Sequence, residues 1–123
     1  MLNLLAIFIG GGLGSLCRYG VSKLSLKMLT VSFPLGTFLA NTLSCILLAI
    51  AVVYFSGKIS SNTALKLFLI TGFCGGFSTF STFSLETFEL LKQGNYTVAI
   101  LNIVVSVVVG VSLIFFILKN QVQ

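Results

Sequence analysis

The sequence predicts an all-α membrane protein built on four transmembrane helices, and three observations carry that expectation. Only 7% of its residues are charged while 57% are hydrophobic, against about 25% charged in an average soluble domain. The few charges bound long uncharged runs at 1–17, 28–57, 67–85 and 93–118. These runs are of the length, roughly 20 residues, that a helix needs to cross the hydrocarbon core. The expected spans are 2–20, 33–55, 65–91 and 97–118, within one domain covering 1–123. Lipid offers no water to backbone N–H and C=O groups, which makes helices the expected form of all four.

The first span has a competing reading as a removable secretory leader. It lacks a basic leading segment, and no small-x-small cleavage site follows a short apolar core, so a retained span is expected. It carries Gly10, Gly11, Gly12, Gly14 and Ser15, of which Gly10 and Gly14 form a small-residue face along which helix backbones can approach closely. Arg18 ends the span with two readings open: it draws anions toward an aqueous vestibule, or it snorkels to headgroups.

The second span repeats the small face with Gly36, Ala40 and Ser44, and adds Thr37 and Asn41 one turn apart. An amide at membrane depth is costly unless it is paired or faces water. Asn41 therefore reads either as an interhelical hydrogen bond or as part of a lined path. In the fourth span Asn102, Ser106 and Gly110 share a face at i, i+4 and i+8. Two polar-faced helices in so small a bundle favour the lined path.

The third span is the unusual one. From Gly72 to Ser84 it holds Gly75-Gly76 and then Ser78, Thr79, Ser81, Thr82 and Ser84, five hydroxyl residues in seven. An interruption of the helix is expected here, at Gly75-Gly76. It would release backbone groups at membrane depth, where only protein or a water-filled path can satisfy them. Phe77, Phe80 and Phe83 recur at i, i+3 and i+6 and line one side, either as bulk or as part of a path.

Charge and residue type exclude several classes. The net charge is +5, but the basic residues are scattered rather than clustered, so no nucleic acid is expected as a partner. There is no histidine, hence no expected transition-metal site and no nucleophile–base pair. Cys17, Cys45 and Cys74 lie within spans and read as packing residues. Lys58, Lys66 and Lys119 fall on one side of the membrane; Lys23, Lys27 and Lys92, with Arg18, fall on the other. So even a count leaves the positive-inside rule without a preference. Either one orientation is fixed by other means, or the chain inserts both ways and assembles as an antiparallel pair.

At Gly11-Gly12-Leu13-Gly14 with Arg18-Tyr19, at Gly36 to Asn41, and above all at Gly72 to Ser84, the sequence resembles the Fluc-type (CrcB) fluoride channel family. The resemblance spans the whole chain. It implies a dual-topology antiparallel homodimer in the lipid bilayer of the plasma membrane, with two fluoride pores that export fluoride passively. It also implies a structural sodium ion (Na+) at the dimer centre, held by backbone carbonyls that correspond here to Gly75 and Ser78. The family's pore phenylalanines correspond to Phe80 and Phe83 and its pore asparagine to Asn41, with Ser81 and Thr82 beside the ion path. Phe77-Ser78 departs from the more frequent Leu-Thr of the family. Asn102 stands where some members have tyrosine, which leaves the pore role of Asn102 and Ser106 open, as are those of Arg18 and Thr37.

These residue types suit a small, strongly hydrated anion. A channel must replace the water donors of the ion without holding it too tightly to release. An Asn amide and Ser or Thr hydroxyls are neutral donors, and the edge of a phenylalanine ring is electropositive. Two other classes compete. A small multidrug-type cation/proton exporter needs a membrane carboxylate, usually in the first helix, whereas the only acids here are Glu86 and Glu89. A non-transporting scaffold subunit would account for the small-residue faces but not for two polar helices around an interrupted one.

Overall fold

A computed structural model describes residues 1–28, 32–56 and 62–119. The elements are α1 (Leu2–Met28), α2 (Leu35–Ser56), α3 (Thr63–Lys66), a π-helical stretch (Leu67–Cys74), α4 (Gly75–Phe77), α5 (Phe80–Lys92) and α6 (Tyr96–Leu118). Four segments are long and apolar enough to cross a membrane: Leu2–Leu26, Leu35–Ser56, Thr63–Lys92 and Tyr96–Leu118. The four expected spans are all present, with the first helix running several residues past position 20. Lys58, used in the charge count, lies outside the described residues.

The protein is small inside and large outside. Ala40, Ala49 and Ala99 have no exposure, while Phe8, Phe80, Val111, Phe115 and Phe116 are all more than 60% exposed. In water such a distribution would be untenable; in lipid, tight packing of small residues joins the helices and the bulky side chains face the solvent tails. The molecule is a multi-pass membrane protein.

The closest approach is between α1 and the first half of the third span. A Cβ on Gly10 would run into the Phe68 carbonyl oxygen, one on Gly14 into that of Phe73, and one on Gly76 into that of Gly11. A Cβ on Gly72 would sit 2.9 Å from the Ile7 carbonyl oxygen. Glycines on both sides thus let the two backbones touch. The Gly10–Gly14 pair expected to pack does so: Gly10 meets the backbone of Phe68, Gly72 and Phe73, Gly14 that of Phe73 and Phe77, and Gly11 lies against Gly76. Elsewhere α2 packs on α6 and α1, and α5 lies against α6.

The turn from α5 into α6 is closed by Gly94 at φ 78°. Its N–H bonds the Leu91 carbonyl at 3.0 Å, and the Asn95 N–H bonds that of Leu90 at 2.9 Å. This double capping of the helix end needs a left-handed residue, which favours glycine.

Candidate functional site

Around the third span, the ladder of helical hydrogen bonds is interrupted after Phe77. Ser78 (φ −79°, ψ 157°) and Thr79 (φ −151°, ψ 119°) are extended, and helix resumes at Phe80. Gly75 itself has helical angles (φ −64°, ψ −36°), so the extended residues lie three to four positions beyond the place the glycines suggested.

Side chains from neighbouring residues take over the backbone groups that the helix gives up. Thr79 N–H donates to Asn41 Oδ1 at 2.7 Å, and Asn41 Nδ2 donates to the Thr79 carbonyl at 3.2 Å. A continuous helix would have sent that N–H to the Gly75 carbonyl. The Thr82 N–H, due at the Ser78 carbonyl, goes instead to Thr79 Oγ1 at 3.2 Å, the usual arrangement for a threonine N-cap. Thr79 Oγ1 also donates to Thr82 Oγ1 at 3.1 Å and meets Ser81 Oγ at 3.2 Å. The Ser44 and Ser78 hydroxyls each donate to the Cys74 carbonyl at 2.9 Å, joined by the Ser78 N–H at 3.0 Å.

Beside this interruption lies an open cavity of about 280 Å³ whose lining includes Asn41, Thr79, Phe80, Phe83 and Ser106. Its lining residues carry no formal charge. The Phe80 and Phe83 rings face it as a tilted pair, centroids 6.0 Å apart at 38°. Of the path residues expected from the sequence, Asn41, Phe80, Phe83 and Ser106 are brought together here. Ser81 and Thr82 stand one step away, in the hydroxyl cluster that caps α5.

The remaining candidates sit elsewhere. Asn102 is 1% exposed and donates to Thr87 Oγ1 at 2.9 Å, while Thr87 donates to the Phe83 carbonyl at 2.7 Å. Asn102 thus joins α6 to α5 behind the cavity rather than lining it. Ser106 is linked to it by a hydroxyl bond of 3.4 Å to Asn102 Oδ1. Thr37 donates to Glu86 Oε1 at 2.8 Å, a pairing of α2 with α5 that spacing within either helix could not indicate. Arg18 is half-buried; its Nε and Glu86 Oε2 are buried with no hydrogen-bond partner among the described residues. Among the described residues no cluster of three or more His, Cys, Asp or Glu could hold a metal.

Residues 5–118 match a family model described as CrcB-like protein, Camphor Resistance (CrcB). A Pyrococcus abyssi protein named fluoride-specific ion channel FluC is 46% identical over 121 residues, covering 95% of each chain. A Dehalococcoides mccartyi protein of the same name is 42% identical over 92% of this chain and 87% of its own. One from Phocaeicola vulgatus, also so named, is 45% identical over 90% of this chain and 91% of its own.

Proposed function

The chain belongs to the CrcB family, and on that premise we propose that it is a fluoride channel of the plasma membrane, through which fluoride leaves the cytoplasm passively. It is not an enzyme. The observation that carries the reading is the cavity at the interruption of the third span, where an Asn amide, hydroxyls and two phenylalanine rings meet without a formal charge. Asn41 Nδ2 has a second N–H beyond the one given to Thr79, available to an anion. Ring edges at Phe80 and Phe83 add electropositive contacts and keep bulk water out. Neutral donors weaken the hold on the ion, which conduction requires. Ser81 and Thr82 stand by as further hydroxyl donors, and Arg18 sets the potential at one end.

The active form in this reading is an antiparallel homodimer, with the interrupted third spans meeting at its centre. A sodium ion there suits the carbonyls of Gly75 and Ser78. They are the two whose helical donors, Thr79 N–H and Thr82 N–H, are diverted to side chains. The Ser78 hydroxyl proton is committed to the Cys74 carbonyl, and in this reading the Ser78 carbonyl is the ligand. When bound, the ion offsets the negative ends of these carbonyl dipoles and ties the protomers together.

The test is fluoride efflux from liposomes containing only this purified chain. Rapid fluoride loss with retention of chloride is expected. Equal release of both ions, or of neither from a well-folded preparation, would overturn the reading.

A further inference from the structure

Asn41 does more than line the cavity. We propose that it is a positioning residue, whose amide clasps the Thr79 peptide and thereby leaves the Gly75 carbonyl without its helical donor and open to a cation. The inference rests on the sodium reading above for the identity of that cation, but not for the clasp itself.

Both halves of the clasp are present. The Asn41 oxygen accepts the Thr79 N–H at 2.7 Å and its nitrogen donates to the Thr79 carbonyl at 3.2 Å. An amide facing a peptide in this way satisfies one donor and one acceptor at once, as a neighbouring strand would. The bond to Thr79 N–H is short for an N–H···O contact. It competes directly with the helix, because that N–H has one proton and the Gly75 carbonyl is its helical destination. Ser44, on the same face of α2, fixes the turn before the interruption through Cys74. Helix α2 therefore pins the third span on both sides of Gly75, once at Cys74 and once at Thr79. The residue that offers a donor to an anion in the cavity is then the same one that exposes a carbonyl to the cation. Fluoride path and cation site are set by one side chain.

The experiment follows thermal unfolding of the purified assembly in sodium and in a large organic cation, beside the Thr79 amide resonance in protein labelled with ¹⁵N-threonine. In the unmodified chain, sodium raises the melting temperature by several degrees, and Thr79 resonates downfield because its bond is short. Asn41→Leu loses the acceptor: the sodium effect disappears and the Thr79 resonance moves upfield. Asn41→Asp keeps an acceptor for Thr79 N–H, so it retains the sodium effect and the downfield resonance while losing fluoride flux. A residue that only lines the path would leave the sodium effect intact in all three. Should Asn41→Leu fail to assemble, Asn41→Ala carries the same expectation.

A full sodium effect in the assembled Leu or Ala variant overturns the proposal, as does an unmoved Thr79 resonance. An unmodified chain that ignores sodium removes the sodium reading alone, and the clasp then stands or falls on the Thr79 resonance.

Discussion

Phe80 is 80% exposed in the protomer, Phe83 three residues on is half-buried, and both rings line the same cavity. Exposure alone means little in lipid, where a ring is as welcome as a leucine. Substitution by Ile separates the two meanings of the pair. If the rings only fill space, Phe80→Ile and Phe83→Ile cost about 1–3 kcal/mol of stability and flux persists in whatever assembles. If their edges line the path, flux falls by orders of magnitude while size-exclusion profiles stay normal. We expect the second outcome; near-normal flux from well-assembled variants would take both rings out of the path. Asn102 should behave in the opposite way. It is buried between α5 and α6 with Thr87, and such interhelical bonds are worth about 0.6 kcal/mol and rarely more than about 2 kcal/mol in membranes. Asn102→Leu is expected to lower stability by that amount and to leave fluoride efflux within a few-fold. The 3.4 Å contact from Ser106 is long for a hydroxyl bond, so its loss costs little and frees the Ser106 proton for the cavity. A collapse of flux in a stable Asn102→Leu assembly would move Asn102 into the path.

At the level of elements, the four helices are legible because the charges bound long uncharged runs. The small-residue face of α1 was equally plain at Gly10 and Gly14. Gly72 and Gly76 are visible in the sequence, but the close approach to α1 that they permit is not. Gly75-Gly76 suggests conformational freedom, yet Gly75 is helical and Gly76 is there for space, its missing Cβ making room for the Gly11 carbonyl. At the extended residues, Ser78 and Thr79, Asn41 on another helix takes the Thr79 N–H. A tertiary contact of that kind leaves no mark on local spacing. The π-helical turns of Leu67–Cys74 leave no signal in the residue pattern either, and π geometry is frequent at functional sites. The crossing itself can be tested. Gly76→Ala should destabilise the fold by about 1–3 kcal/mol, since the contact is backbone on backbone and neither side can yield. Gly12→Ala on the same helix as Gly11 meets nothing within 4 Å and should be harmless. Melting curves of the two variants decide it: equal stability would mean the crossing relaxes freely.

The whole molecule poses the question of what covers its third span. Gly75 is exposed and an added Cβ there meets nothing within 4 Å in the protomer. One residue further, Gly76 is jammed against α1. A protomer acting alone would therefore tolerate Gly75→Val and resist Gly76→Ala, whereas an antiparallel pair joined at the interruption would be broken by Gly75→Val. Retention of the monomer's helical signal with loss of the dimer on size exclusion is the expected result. Antiparallel pairing in turn demands that the chain enter the membrane both ways. The expected topology permits it, since it sets Lys58, Lys66 and Lys119 against Lys23, Lys27 and Lys92 with Arg18, and the sequence has only Glu86 and Glu89 as acids. Since orientation follows the excess of Lys and Arg in short loops, so even a division leaves neither insertion favoured. C-terminal reporters that function only inside and only outside the cytoplasm should both give signal from the unmodified chain. Two lysines added to the 93–96 loop should then draw that loop inside and extinguish the reporter of the inverted form. The added charge should also abolish fluoride efflux when it is the sole copy expressed, and efflux should return on co-expression with a chain biased the opposite way. A single dominant orientation in the unmodified chain, with efflux intact, would exclude the antiparallel pair.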